Sequence, residues 1–227
     1  MDFLDDWLSN KCSVNDINKY FFGIRNKKNM VDIKLMEKIF GFIVYKNGCI
    51  IPEKLLKSCS NRLGVPIEYI RNRLLCEIAL FYINYKNEYR IAVSLFHKTI
   101  NNDSAKGYFN LALIYCNNNN FEKGIELCEI AANYPSKIQL TNGEAILNHR
   151  VLEAQYHVGH LYYKIQKNKE KCLYYYKMSA DNNNPRAAYL VGCMAIKGVG
   201  CEKNEELSKY YIVKACQIIK AKQIINI

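Results

Sequence analysis

Apolar and polar residues follow a helical period through most of the chain, and between about residues 74 and 216 the pattern recurs in blocks. The clearest block is 187–216, Ala-Ala-Tyr-Leu-Val-Gly-Cys-Met-Ala-Ile-Lys-Gly-Val-Gly-Cys-Glu-Lys-Asn-Glu-Glu-Leu-Ser-Lys-Tyr-Tyr-Ile-Val-Lys-Ala-Cys. Two apolar-periodic stretches flank Gly198-Val199-Gly200, which predicts a helix, a tight turn and a second helix. Residues 154–180 repeat the plan. Val158-Gly159 matches Val191-Gly192 at a shift of 33, and Tyr175-Tyr176 matches Tyr211-Ile212 at a shift of 36. A third copy runs from Gly107 to Ala132. A fourth covers about 74–100, with a clear second helix from Tyr89 and a poor first one. Small residues recur at one place in the first helix (Ala112, Gly159, Gly192) and at one place in the second (Ala92, Gly124, Cys172, Ser208). Helices that cross closely need small side chains at the crossing, so each block predicts a tightly packed helix pair.

The pattern L-G-x-M-Y-x-x-G-x-G-V, followed by a second helix ending in K-A-A, resembles the Sel1-like repeat, a relative of the tetratricopeptide repeat. Val191, Gly192, Met194, Gly198, Gly200, Lys214 and Ala215 carry it in the best copy, whereas Ala195, Cys201 and Cys216 depart from it. The earlier copies lose the G-x-G turn. The resemblance covers roughly residues 74–216. It implies an all-α fold: a right-handed α-solenoid of helix-turn-helix repeats, with an N-terminal helical cap. It also implies an adaptor role in a larger complex, since a repeat fold alone carries no activity.

The segments outside the period complete the map. Residues 1–70 form a helical cap or small helical domain, 71–216 the repeats, and 217–227 a further helix closing the far end. An insertion at about 133–153 contains Pro135 and Asn142-Gly143, then a helical-looking Glu144 to Leu152. Insertions in repeat arrays protrude from one face and often bind, although a longer loop without consequence has the same pattern.

Composition narrows the class. Of 227 residues, 50% are apolar, with 4 prolines and 11 glycines, which excludes a mainly disordered or collagen-like chain. The formal net charge is +11, from 32 Lys+Arg against 21 Asp+Glu. Lysine outnumbers arginine 25 to 7 and asparagine reaches 26, preferences that an AT-rich genome would impose. The charge is nevertheless uneven. Residues 11–82 and 164–227 are each net +7, residues 83–163 are neutral, and residues 1–10 carry three acids and no base. That distribution points to two basic surfaces. The ten cysteines form no C-x-x-C pair, which suits buried free thiols in a reducing compartment better than a disulfide framework or zinc site. The start, Met-Asp-Phe-Leu-Asp-Asp, is no signal peptide, and the longest apolar run, Ile39 to Tyr45, is too short to span a bilayer. The expectation is a cytoplasmic protein that does not meet a membrane.

Candidate chemistry is sparse. The sequence has no G-x-S-x-G, P-loop or dinucleotide fingerprint, so no catalytic residue, cofactor or small-molecule substrate is expected. His157 and His160 share a helix face near Cys172 but lack a closed ligand set, so no metal is expected either. His97 and His149 are isolated and should face solvent. Basic and aromatic residues are more informative. Lys164, Lys167, Lys169 and Lys171 cluster at one turn beside Tyr163 and Tyr174, a combination that suits looped RNA. Arg25, Lys27 and Lys28 form a second cluster, with Arg71 and Arg73 following, while Lys220 and Lys222 extend the basic far end. Solvated lysines are the plainer reading of the turn at Lys164 to Lys171. Repeat phase assigns Tyr108, Asn110, Gln155, His157, Arg186 and Tyr189 to a concave groove.

Two functions compete. The first is a non-enzymatic adaptor holding a protein partner in a larger assembly. The second is a basic RNA- or ribosome-associated factor, inhibitory dormancy-type factors among them, docked through both basic ends on ribosomal RNA. The first predicts salt-tolerant binding, the second binding lost steeply with salt.

Overall fold

Short polar side chains set where five of the eight described helices begin. In the computed structural model the described residues are 64–225 together with Glu53, Leu56, Lys57, Ser60 and Asn61, all within the unit Phe40–Ile227. The helices are α1 (Ile67–Phe81), α2 (Tyr89–Asn101), α3 (Ala105–Asn117), α4 (Phe121–Ala132), α5 (His149–Leu161), α6 (Lys169–Asp181), α7 (Pro185–Lys197) and α8 (Glu205–Ile225). Ser104 accepts from the Gly107 amide, Asn120 from Lys123, Asn168 from Lys171, Asn184 from Arg186 and Ala187, and Asn204 from Leu207. Each satisfies a first-turn N–H that has no partner within its own helix.

The residue before four of these caps, and before Glu88 at the start of α2, is equally constrained. Asn87, Asp103, Asn119, Lys167 and Asn183 all have positive φ, between 51° and 65°. Asparagine and aspartate tolerate this left-handed region because their short side chains bond locally. This explains how the earlier copies dispense with G-x-G, and it gives the abundant asparagines a structural use. Lys167, at φ 51°, is the one lysine in this set. Lys167→Gly is expected to stabilise the fold by about 1 kcal/mol, read as a higher urea midpoint, because glycine removes the Cβ strain. A lower midpoint would show that the lysine makes a stabilising contact.

Four helix pairs stack as the repeats: α1–α2, α3–α4, α5–α6 and α7–α8. The first begins at Ile67, ahead of the expected 74, with Pro66 at its start and Ile70, Leu74 and Ile78 buried along one stripe. The small residues lie where helices cross. A β-carbon on Gly192 would sit 3.1 Å from the Ser208 carbonyl, and one on Gly159 would sit 3.3 Å from that of Cys172. Large side chains fill the flanks, so Phe96, Leu111, Val158, Tyr175, Tyr176 and Val191 belong to one continuous buried cluster. Burial pushes the Cys128 and Cys172 thiols up to about 12, as inert core groups.

The first and third repeats share a feature that helical periodicity does not predict. Each first helix ends in a π turn, Tyr82–Lys86 and Tyr162–Gln166. The ends Phe81 and Leu161, and the starts Tyr89 and Lys169, are each separated by 80 positions, as are the starts Ala105 and Pro185. The larger structural unit is thus a pair of repeats.

Two expectations change. Residues after Asn142-Gly143 do not continue as helix. They form β2 (Ala145–Leu147), antiparallel to β1 (Lys137–Gln139), with Ile138 opposite Ile146. Gly143 has φ 84° and Asn142 accepts from the Glu144 amide, a combination that reverses the chain into a hairpin. The separate closing helix over 217–227 is instead the last part of α8, which runs unbroken through Ile225 because no glycine, proline or capping residue interrupts it there.

The hairpin does not project freely. The Thr141 amide donates to the Gly64 carbonyl at 2.7 Å, just ahead of α1. At its base Tyr134 bonds the Asp103 carboxylate and lies against the Tyr108 ring, 5.9 Å between centroids.

Candidate functional site

The first helices of successive repeats lie side by side, α1 against α3 and α3 against α5. The hairpin covers the edge where these three begin. Beneath it is a cavity of about 340 Å³, lined by Tyr69, Asn72 and Arg73 of α1, Asn102 to Lys106 around the start of α3, Tyr134 and Ile138 of the insertion, and Asn148 and Arg150 at the start of α5.

Its polar walls are fixed by direct bonds. Lys106 Nζ lies 2.6 Å from Glu77 Oε1, with side chains only 5% and 15% exposed. Asn72 and Asn102 form a reciprocal pair: Asn72 Nδ2 donates to the Asn102 carbonyl at 3.1 Å, and Asn102 Nδ2 donates to Asn72 Oδ1 at 3.2 Å. Arg73 donates to the Tyr69 hydroxyl at 2.6 Å and stands over that ring. Arg150 pairs with Glu153 at 2.5 Å on the same helix. Burial, reinforced by Asp103, raises the Tyr134 phenol above its ordinary 10, so it stays protonated as a donor.

Two turns beyond Arg150 along α5, His157 packs edge-on to Phe109 at 5.8 Å. Its burial lowers its pKa from the ordinary 6.5, helped by His160, while Glu153 opposes the shift. His160 is lowered as well, by burial and by Lys164. For both, the unfolded chain binds protons more readily than the folded chain. Their stabilising contribution is therefore complete above about pH 6.5 and declines as pH falls through the folded values. His157→Leu is expected to flatten that acid-side loss in urea titrations between pH 5 and pH 7. An unchanged pH slope would remove His157 from this account.

The sequence-predicted groove residues divide. Arg186 and Tyr189 are exposed, and Tyr108 and His157 are half-buried. Asn110 and Gln155 are buried, so repeat phase misplaced them. Gln155, 2% exposed, donates to the Ala132 carbonyl at 3.0 Å and accepts from Asn182 at 3.1 Å, which ties three helices together. Asn110 is enclosed in the packing of α3. Lys106 and Arg150, absent from the expected set, are the residues sequence reasoning missed. The partner that would have identified Lys106 lies 29 positions upstream.

The basic residues divide too. Lys164, Lys167 and Lys169 are exposed beside Tyr163 and Tyr174, themselves 51% and 56% exposed. Lys171 is engaged: it donates to the Tyr162 hydroxyl at 2.9 Å and lies 3.8 Å from Glu129. Tyr162 and Tyr175 also donate to Glu129, at 2.6 Å and 3.0 Å. Arg71 is held by Glu53 at 2.7 Å and Glu68 at 3.1 Å, which occupies its donors with carboxylates rather than leaving them for phosphate. Arg73 lines the cavity instead of a surface patch. Lys220 is exposed. Arg25, Lys27, Lys28 and the Lys222 side chain lie outside the described residues. The lysine turn and the cavity flank opposite ends of α5, about 20 Å apart for 13 residues.

Among the described residues no three His, Cys, Asp or Glu side chains are grouped as metal ligands, and no helix is long and apolar enough to cross a membrane.

No family model and no curated protein matches the sequence. Solved structures do. The chain is similar to a Sel1 repeat protein from Oxalobacter formigenes, with a TM-score of 0.53 at 19% identity over 79% of this chain and 69% of that one. It is also similar to c5321, a protective antigen of uropathogenic Escherichia coli strains displaying an SLR fold, with a TM-score of 0.50 at 16% identity. That match covers 66% of this chain but 32% of the other, so the chain spans about a third of that protein's length. The fold is the Sel1-like helical-repeat solenoid.

Proposed function

We propose that this chain is a non-catalytic binding module that holds a segment of a partner protein along α1, α3 and α5 within a larger assembly. The observation that carries the reading is the hairpin clasp. An insertion between the second and third repeats crosses to Gly64 and gives the face of the first helices a bounded end. Repeat arrays bind through such extended faces, and a loop that bounds one of them suits a segment held there. The test compares partners that co-purify with the tagged chain and with a variant carrying Tyr108→Ala on α3 and His157→Ala on α5. The variant is expected to lose a salt-tolerant partner that substitutions at Lys164, Lys167 and Lys169 leave bound. Equal retention by both variants would overturn the reading.

A second reading rests on the exposed Tyr163 and Tyr174 beside the lysine turn, where bases could stack and phosphates pair. It expects single-stranded RNA to bind with an affinity that falls steeply with salt, and Tyr163→Ala with Tyr174→Ala to weaken it. Salt-independent or absent RNA binding would exclude it.

A further inference from the structure

We infer that the cavity beneath the hairpin accepts a carboxylate side chain from an acidic peptide segment, an inference that rests on the partner-segment reading above. Three basic side chains reach this one space from three helices: Arg73 from α1, Lys106 from α3 and Arg150 from α5. Among the described residues the wall holds two acids, Asp103 and Glu68, and each already accepts a hydrogen bond. Asp103 accepts from the Tyr134 hydroxyl, and Glu68 accepts from Arg71, which lies outside the lining. Lys106 is committed to Glu77, and that pair fixes the wall without adding net charge to it. Arg150 is different. Its partner Glu153 is on the same helix and half-exposed, and such pairs contribute little, so the guanidinium can turn to an incoming carboxylate at small cost.

The backbone supports the same sign. Asn148 starts α5 without a side-chain cap, and that helix of 13 residues directs the positive end of its dipole at the cavity two residues from Arg150. Tyr69, Tyr134 and Ile138 supply apolar walls for the methylenes of the entering side chain. About 340 Å³ is at the small end for ligand sites and holds a side chain rather than a folded surface. A segment lying along α3 and α5 past His157 would deliver that side chain to the cavity.

The full chain is titrated with fluorescein-labelled hexaglutamate and hexaglutamine peptides and read by anisotropy. Hexaglutamate is expected to bind and hexaglutamine is not. Arg150→Gln should weaken binding about tenfold, the loss of one charge-assisted guanidinium–carboxylate contact. Arg150→Lys should recover part of it, and the triple change Lys164→Gln, Lys167→Gln, Lys169→Gln should leave it unchanged. Arg150 is at the surface, so its variants test binding without a folding defect, with Arg73→Gln as the second wall. Equal weakening by the lysine triple would overturn the inference, because a basic chain attracts polyglutamate anywhere. Equal binding of hexaglutamine, or no binding of either peptide, would also overturn it. Those outcomes leave the co-purification test untouched, so failure of the pocket is distinguishable from failure of the binding face.

Discussion

Lys106→Met is expected to destabilise the fold by about 3–5 kcal/mol, read as a lower urea midpoint. The substitution keeps the length of the side chain and removes its charge. Glu77, 15% exposed, then has no counter-ion 2.6 Å away and must either stay charged in a poor dielectric or take up a proton. The Cys76 thiol next to it, fully enclosed and raised by that burial, shows how little solvent reaches this layer. The companion change discriminates between losing a good interaction and stranding a charge. Adding Glu77→Gln should recover most of the loss, since two neutral groups of similar shape pack in the same space. A single-variant cost below about 1 kcal/mol would mean that the pair behaves as a surface ion pair.

Gly200→Ala is expected to cost about 2–5 kcal/mol, combining left-handed strain with a steric collision. Gly200 has φ 76°, and a β-carbon there would lie 2.2 Å from the Lys169 carbonyl oxygen. That oxygen belongs to the backbone at the start of α6 and cannot swing away like a side-chain tip. The turn between α7 and α8 is therefore seated against the preceding repeat. Gly198 serves as the control. Its φ is 65°, but its nearest backbone neighbour is 3.3 Å from the same construction, so Gly198→Ala should cost only the strain, about 1–2 kcal/mol. Equal losses at the two positions would show that the close approach to Lys169 contributes nothing. The two glycines of G-x-G thus have separate tasks: the first ends a helix and the second lets one repeat touch another.

Much of the solenoid was legible because its determinants are local or periodic. Ala112, Gly159 and Gly192 announced the crossings, and Tyr175 and Tyr176 announced the core, by spacing alone. The π turns were not legible, since one extra residue in a helical turn leaves no distinct composition. The hairpin was half-legible: Asn142-Gly143 marked a turn, but strands of three residues are too short for alternation to stand out from a helical run. The site was less legible than the fold. Arg73 was anticipated as basic surface, yet its role depends on Tyr69 and on a cavity closed by residues more than sixty positions away. Gln155 and Asn110 were assigned to the groove because one helical face grades into the next, and a rotation of a fraction of a turn separates a wall from a buried tie. Net charge overstated the free basic surface. Lys106, Arg71, Lys171 and Lys214 are all matched to carboxylates inside the unit, Lys214 to Asp181 at 3.0 Å.

The clasp from Thr141 to Gly64 also alters how the array comes apart. A simple stack is a chain of neighbours, in which an end pair can fray without disturbing those two places away. Here the first two pairs are enclosed in a loop whose ends are fastened together, so α1 cannot peel away without releasing the hairpin. Amide hydrogens of α1–α4 should therefore exchange as one cooperative block, while α7–α8, outside that closed loop, opens at lower free energy.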